Sequence, residues 1–547
     1  MKKALSYLLA TIMIISAFAV MPATAAGTAP TAPDKEVVVG YDTGKVLEVS
    51  GLKEKVTATT PGTTPIPTVM DYSFTCTEGG KYTISSPEQL GMFSRMSRVT
   101  SSDGKQKWTF EGCTVYITCD IDMSKLEDKG DGTYSYNFSG IGEGNGSSAK
   151  QLFFAGTFDG QGYVIDNWEI ANSYQGCGFF NCVVDATIKN VVLGSGNKVT
   201  ASNNQIGGLV GYARKSNTAY GVSIENCLVM STVVTNGNKN QMGGIIGAMA
   251  GPVDITNVTF GGSITGDNRV GGIVGAAGQV TTLTNCLMSG TVVANNASST
   301  SSDKLTIGAG AIIGYLNNSA TVNNCVNAGT VTSANVSGVI AGSINESSAA
   351  KLTVNSAVNY STSVTAAYGK LGANATANIS GYTDLSTADI GNAIRVNPDL
   401  PMGLRYTSVI TKAQIDAAKA LSKDGTVSFG TIIAPKDYFG TNEAYTATNA
   451  GTYLDIPATS IGMTENADGS VTLKAAITEI KDGNLKRDFV FVPYISYEDA
   501  DGNTVYSYVY TTGIKSARAV ADLALADTSA SYSDTTIALI KERYVKD

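Results

Sequence analysis

No histidine occurs among the 547 residues, and this absence decides much of the chemistry open to the chain. Histidine is the usual general base near neutral pH and the commonest metal ligand, so Ser-His-Asp and Cys-His nucleophiles and HExxH zinc sites are excluded. Carboxylate chemistry remains. Asp120, Asp122, Asp159 and Asp166 are candidates for the acid/base pair of a glycosidase, with corner- or turn-capping as the plainer alternative. Asp499, Asp501 and Asn503 have the composition of part of a calcium loop. The remaining ligand positions and a closing Glu are missing, so a hairpin turn is expected, and neither a metal site nor a cofactor is assigned. Two further groups suit recognition. Tyr506, Tyr508 and Tyr510 alternate along one strand face, either as a platform for sugar rings or as packing for a core. Tyr212, Arg214, Lys215 and Tyr220 bring rings and cations together in a chain of net charge −8. That acidic balance is the wrong sign for nucleic acid, whose binding rests on Lys and Arg neutralising phosphates.

The elements that must position these residues are repeats. Gly207-Gly-Leu-Val-Gly211, Gly243-Gly-Ile-Ile-Gly247, Gly271-Gly-Ile-Val-Gly275, Gly310-Ala-Ile-Ile-Gly314 and Gly338-Val-Ile-Ala-Gly342 align, with Gly178-Phe-Phe-Asn181 as a degenerate first copy. Their last positions step by 30, 36, 28, 39 and 28 residues, a range typical of stacked structural repeats. A second column, aliphatic-x-Asn-[Val/Cys], runs between them. Its asparagines Asn190, Asn226, Asn257, Asn285 and Asn324 are expected at left-handed corners, with amides bonded from repeat to repeat. Cys227, Cys286 and Cys325 share a position with Val191 and Val258, so they are expected as buried, reduced thiols. Cys76, Cys113, Cys119, Cys177 and Cys182 stay undecided, with Cys113 and Cys119 as the one close pair on a plausible strand. The shortest repeat is 28 residues, and the excess falls at Tyr212 to Gly221 and around Ala294 to Lys304. Insertions of this kind map to loops, where recognition usually resides.

These repeats resemble the GLUG-motif family of bacterial surface proteins, and the resemblance runs over about residues 71 to 368. Tyr82-Thr-Ile-Ser-Ser-Pro-Glu-Gln-Leu90, Tyr116-Ile-Thr-Cys-Asp-Ile-Asp122 and Gly156-Thr-Phe-Asp-Gly-Gln-Gly162 look like the opening that precedes such repeats. The resemblance implies a right-handed β-solenoid whose first turn is covered by a helix near Pro87 to Arg95. The family includes parts of zinc metallopeptidases, but a chain without histidine cannot supply their zinc motif. The later sequence is similar to a carboxy-terminal domain recurrent in secreted proteins of Gram-positive anaerobes, carried by Gly403 to Tyr406, Val427 to Ile433 and Arg518 to Ala526.

The organisation expected is all-β. A signal peptide over 1–25 rests on Lys2 and Lys3, the apolar run Ala4 to Val20 and the small residues Ala23 to Ala25. A Thr/Pro-rich segment over 26–70 follows, then a helical cap and opening turns over 71–170, solenoid repeats over 171–368 and a linker over 369–391. A β-sandwich-like domain with peripheral helices is expected over 392–547, able to fold alone. It carries a capping box at Thr411 and Gln414 and hairpin turns at Asp468-Gly469 and Asp501-Gly502. The functional expectation is a non-enzymatic, secreted or loosely surface-associated adhesin-like scaffold. It would bind glycans or host glycoproteins, with no nucleic acid partner, no membrane-embedded part and an open oligomeric state. The alternatives are a structural matrix or fibre protein and a histidine-free carbohydrate-active enzyme.

Overall fold

A computed structural model describes the strand 36–39 and residues 56–126, 138–144, 152–172, 175–215, 221–235, 240–295, 307–347, 349–386, 390–439, 453–457, 462–508, 513–526 and 532–546. The segment read as a signal peptide lies outside these residues, as do most of the two insertions. The chain forms two units, Leu47–Thr387 and a second made of Met1–Val46 with Ala388–Asp547.

The first unit is a stack of parallel sheets. Among the described residues it has sheets of eleven, nine, seven, six and five strands, and five successive repeats, from the strand Thr187–Lys189 to the strand Ala341–Ile344, each give one strand to every sheet. One pass runs through Val222–Glu225, Leu228–Val229, Thr232–Thr235, Asn240–Gly243 and Ile246–Met249, then re-enters the first sheet at Val253–Thr256. The register is residue for residue. Ile188, Ile224, Ile255, Leu283 and Val322 are paired in succession along one buried column. Val191, Cys227, Val258, Cys286 and Cys325 are buried likewise, because the position just past each corner points into the stack. Branched and sulfur side chains alternate in this close-packed column.

The Gly-x-x-x-Gly motif has a steric cause. A Cβ added at Gly243 would clash with the Ile246 carbonyl, and one at Gly247 with the Ile206 amide of the preceding repeat. Backbone lies against backbone there.

The helix Pro87–Met96 is capped by Ser86, whose hydroxyl accepts the Gln89 amide at 3.3 Å. It packs Phe93 edge-on against Phe110, with ring centres 4.7 Å apart, at the start of an aromatic cluster that includes Phe154 and Phe158. Two strands of the longest sheet, Thr63–Pro65 and Lys81–Ile84, precede this helix in the chain. The parallel pairing also continues through Tyr368–Leu371, Thr376–Asn378 and Tyr382–Asp384, where the sequence reads as a linker. The Gly, Ala, Asn and Thr that suggested a linker are the residues from which the repeats themselves are made.

The second unit contains two antiparallel sheets. One orders Glu36–Val39, Gly391–Arg395, Gly403–Ile410, Val471–Thr478 and Gly462–Glu465; the other orders Leu454–Pro457, Ser428–Pro435, Phe489–Glu498 and Thr504–Tyr508, with Gly513–Lys515 also on Phe489–Glu498. Leu404 and Tyr406 from the first sheet share a core with Ile433 and Phe491 from the second and with Val520 and Ile540 from two helices. Thr411 and Gln414 form a reciprocal capping box. Gly469 and Gly502 take positive φ, 81° and 84°, in the turns that join their strands. The strand Glu36–Val39 comes from the 26–70 stretch read as a Thr/Pro-rich segment and adds an edge to a sheet otherwise made after residue 388.

Candidate functional site

Two constructions stand out in the parallel unit, a polar ladder and an outward-facing groove. In the ladder, Asn190, Asn226, Asn257, Asn285 and Asn324 all adopt left-handed backbone, with φ between 51° and 55°. Asn is the side-chain-bearing residue that tolerates this region best. Each amide nitrogen donates to the carbonyl oxygen of the amide one repeat earlier: Asn226 to Asn190 at 3.3 Å, Asn257 to Asn226 at 3.0 Å, Asn285 to Asn257 at 3.0 Å and Asn324 to Asn285 at 2.9 Å. Asn190 donates in turn to Asp159 at 2.9 Å. Asp159 is the head of the ladder, a role the sequence reading did not assign. It also accepts the Gln161 amide and faces Lys189 at 3.6 Å. Gln161, itself left-handed, ties the opening together through the Ile117 carbonyl at 2.6 Å.

The carboxylates weighed as an acid/base pair are all engaged in holding backbone. Asp120 accepts the Val164 amide, Asp122 the Ser124 amide, and Asp166 the amides of Asn167 and Gly196. Asp122 is held down to about 2 by bonds from Ser124 and Asn167. Asp499 accepts the amides of Asp501 and Asn503 in a turn, and no cluster of potential metal ligands occurs among the described residues.

The groove lies on the seven-stranded sheet. Tyr212, Ala248, Ala276 and Tyr315 occupy successive strands in register, so two tyrosines bracket two alanines on the outer face. The four side chains pack together, and the space above them is a cavity of about 230 Å³ bordered also by Gln205, Gln241 and Arg269. Arg269 stacks on the Tyr315 ring, with its guanidinium carbon 4.4 Å from the ring centre. Burial lowers the Arg269 pKa from its ordinary value, while Tyr315 acts in the opposite direction. Gln205, Gln241 and Arg269 recur at one corner, all left-handed with φ of 66°, 66° and 54°. This arrangement can hold an apolar ring face against Tyr212 and offer donors and acceptors at its rim.

Of the residues singled out by sequence, Tyr212 is half-buried in this groove and Arg214 is on the same strand, near enough to lower the Tyr212 hydroxyl pKa that burial raises. Lys215 is exposed just beyond the strand, and Tyr220 lies outside the described residues. Tyr315, Gln241 and Arg269 were missed, although the residue after the final Gly of each motif marks this column. In the second unit Tyr506 is 42% exposed and stands edge-on to Tyr494, 5.1 Å away, whose hydroxyl donates to Asp455 at 2.6 Å. Tyr508 is paired in the same strand, its side chain outside the description, and Tyr510 lies outside the described residues.

All eight cysteines are free thiols in the structure. Burial pushes the Cys227 thiol up to about 12 and the Cys286 thiol well above its ordinary value. No helix among the described residues is long and apolar enough to cross a membrane. No family model, curated protein or solved structure matches the chain.

Proposed function

We propose that the chain is a secreted or cell-surface adhesin-like scaffold of the GLUG-repeat kind, in which the parallel sheets close into a right-handed β-solenoid that displays a glycan-binding groove. The observation that carries this reading is the in-register column Tyr212, Ala248, Ala276 and Tyr315 with Arg269 stacked beside it. The small alanines leave a recess between the half-buried Tyr212 and the buried Tyr315 on which Arg269 stacks, and the Gln and Arg rim suits the hydroxyls of a sugar ring. The basic, apolar and small-residue order of the first 25 residues supports export. The test is an array of glycans and host glycoproteins probed with the full chain and with Tyr212→Ala. Loss of one stacking ring is expected to weaken binding by about 1 kcal/mol, on the order of fivefold in Kd. A ligand bound equally by the variant would remove the groove from the reading, and an array with no ligand would remove recognition of glycans.

A further inference from the structure

Cys76 and Cys113 come together at the start of the parallel stack, although 36 residues separate them in the chain. Their segments are tied by backbone bonds: the Gly79 amide donates to the Gly112 carbonyl at 2.9 Å, and the Thr114 amide to the Gly80 carbonyl at 2.9 Å. Lys81 and Thr114 then begin the paired strands. The Cys113 thiol donates to the carbonyl of Thr77, the residue after Cys76, at 3.3 Å. The two thiols and the Tyr82 hydroxyl lie near enough to shift one another's pKa. That hydroxyl is itself fixed by the Thr75 carbonyl at 3.1 Å and the Thr77 amide at 3.2 Å. Cys76 is only partly buried, so a small reagent can reach it, while Cys113 is buried next to it. Cys286 and Cys325, neighbours in successive repeats, are 0% and 1% exposed and have no such access.

We infer that Cys76 and Cys113 form a disulfide when the chain meets a disulfide oxidant, stapling the segment 71–82 to the strand Thr114–Ile117 at the opening of the stack. The Cys76 thiolate attacks a small-molecule disulfide such as oxidised glutathione, forming a mixed disulfide and releasing one glutathione thiolate. The Cys113 thiolate then attacks the Cys76 sulfur, the protein S–S bond forms, and the second glutathione leaves. Two protein thiols are oxidised, one glutathione disulfide is reduced, and the two protons pass to the departing thiolates. Burial raises both thiol pKa values, which keeps the thiolate fraction low, so the reaction accelerates as pH rises. The staple constrains the unfolded chain and protects the Phe74, Tyr82 and Phe110 cluster beneath it.

The full-length chain is incubated with oxidised glutathione, desalted, denatured, alkylated without reductant and digested. The expected result is a Cys76–Cys113 linked peptide with the other six cysteines alkylated, together with a rise in Tm on oxidation that Cys76→Ser abolishes. Alkylation of both residues, a stable glutathione adduct on either, or a Cys113–Cys119 linkage would overturn the inference. The reaction is run on purified protein, so its failure leaves the proposed cellular location and the groove untouched.

Discussion

Asn257 sits inside the amide ladder, and substituting it separates two contributions that coincide in the native chain. Its amide donates to Asn226 and accepts from Asn285, both at 3.0 Å, and its φ is 55°. Each net hydrogen bond is worth about 1 kcal/mol, and left-handed backbone costs an ordinary side-chain-bearing residue about 1 to 2 kcal/mol that glycine escapes. Asn257→Gly therefore loses the two bonds alone, about 2 kcal/mol. Asn257→Ala loses the same bonds and adds the backbone cost, about 3 to 4 kcal/mol in all. The two tryptophans, Trp108 and Trp168, are both in the parallel unit and both buried, so their emission during a urea titration reports that unit alone. The expected order of stability is wild type, then Gly, then Ala. Equal losses for Gly and Ala would refute the backbone argument, and losses within about 0.5 kcal/mol for both would mean that the ladder adds nothing.

Asp122 yields a pH prediction. Its folded pKa of about 2 lies below the ordinary 3.8, so its contribution is present above about pH 4 and is lost as pH falls towards 2; Asp122→Asn should flatten that limb of a Tm-against-pH curve. Gly430→Ala should destabilise the second unit by about 1 to 3 kcal/mol in a urea titration followed by circular dichroism, because the new methyl meets the Tyr494 ring. A fragment beginning at Asn392 leaves the edge of Gly391–Arg395 unpaired, so fusing residues 34–41 through a flexible linker should raise its Tm. Trimming 296–304 should leave Tm within error, since the 28-residue repeats keep every column without such an insertion.

The repeat registers were legible because two strict demands recur at fixed spacing, a left-handed corner that favours Asn and a contact between backbones that admits only Gly. Cys227, Cys286 and Cys325 were readable as hydrophobes because valines alternate with them in the same column. The groove was half legible. Tyr212 drew notice as one of several rings and cations near an insertion, whereas its partner Tyr315 is 103 residues away and is joined to it only by the pairing of intervening strands. Arg269 was hidden for another reason, since a left-handed arginine follows no local preference and is held by packing on Tyr315. The strand Glu36–Val39 gave no signal either, because a four-residue edge is defined by a partner more than 350 positions later.

Neighbouring strands in a parallel sheet lie about 4.8 Å apart, so the three steps from Tyr212 to Tyr315 set a gauge of about 14 Å. Because the register is residue for residue, that gauge changes in whole increments. Excising one 28-residue repeat between Gly247 and Gly275 would shorten it by one step, and duplicating that repeat would lengthen it by one, with every column still in line. A lineage that gains or loses such units by unequal crossing-over thus acquires a graded series of spacings without redesigning the wall that carries them.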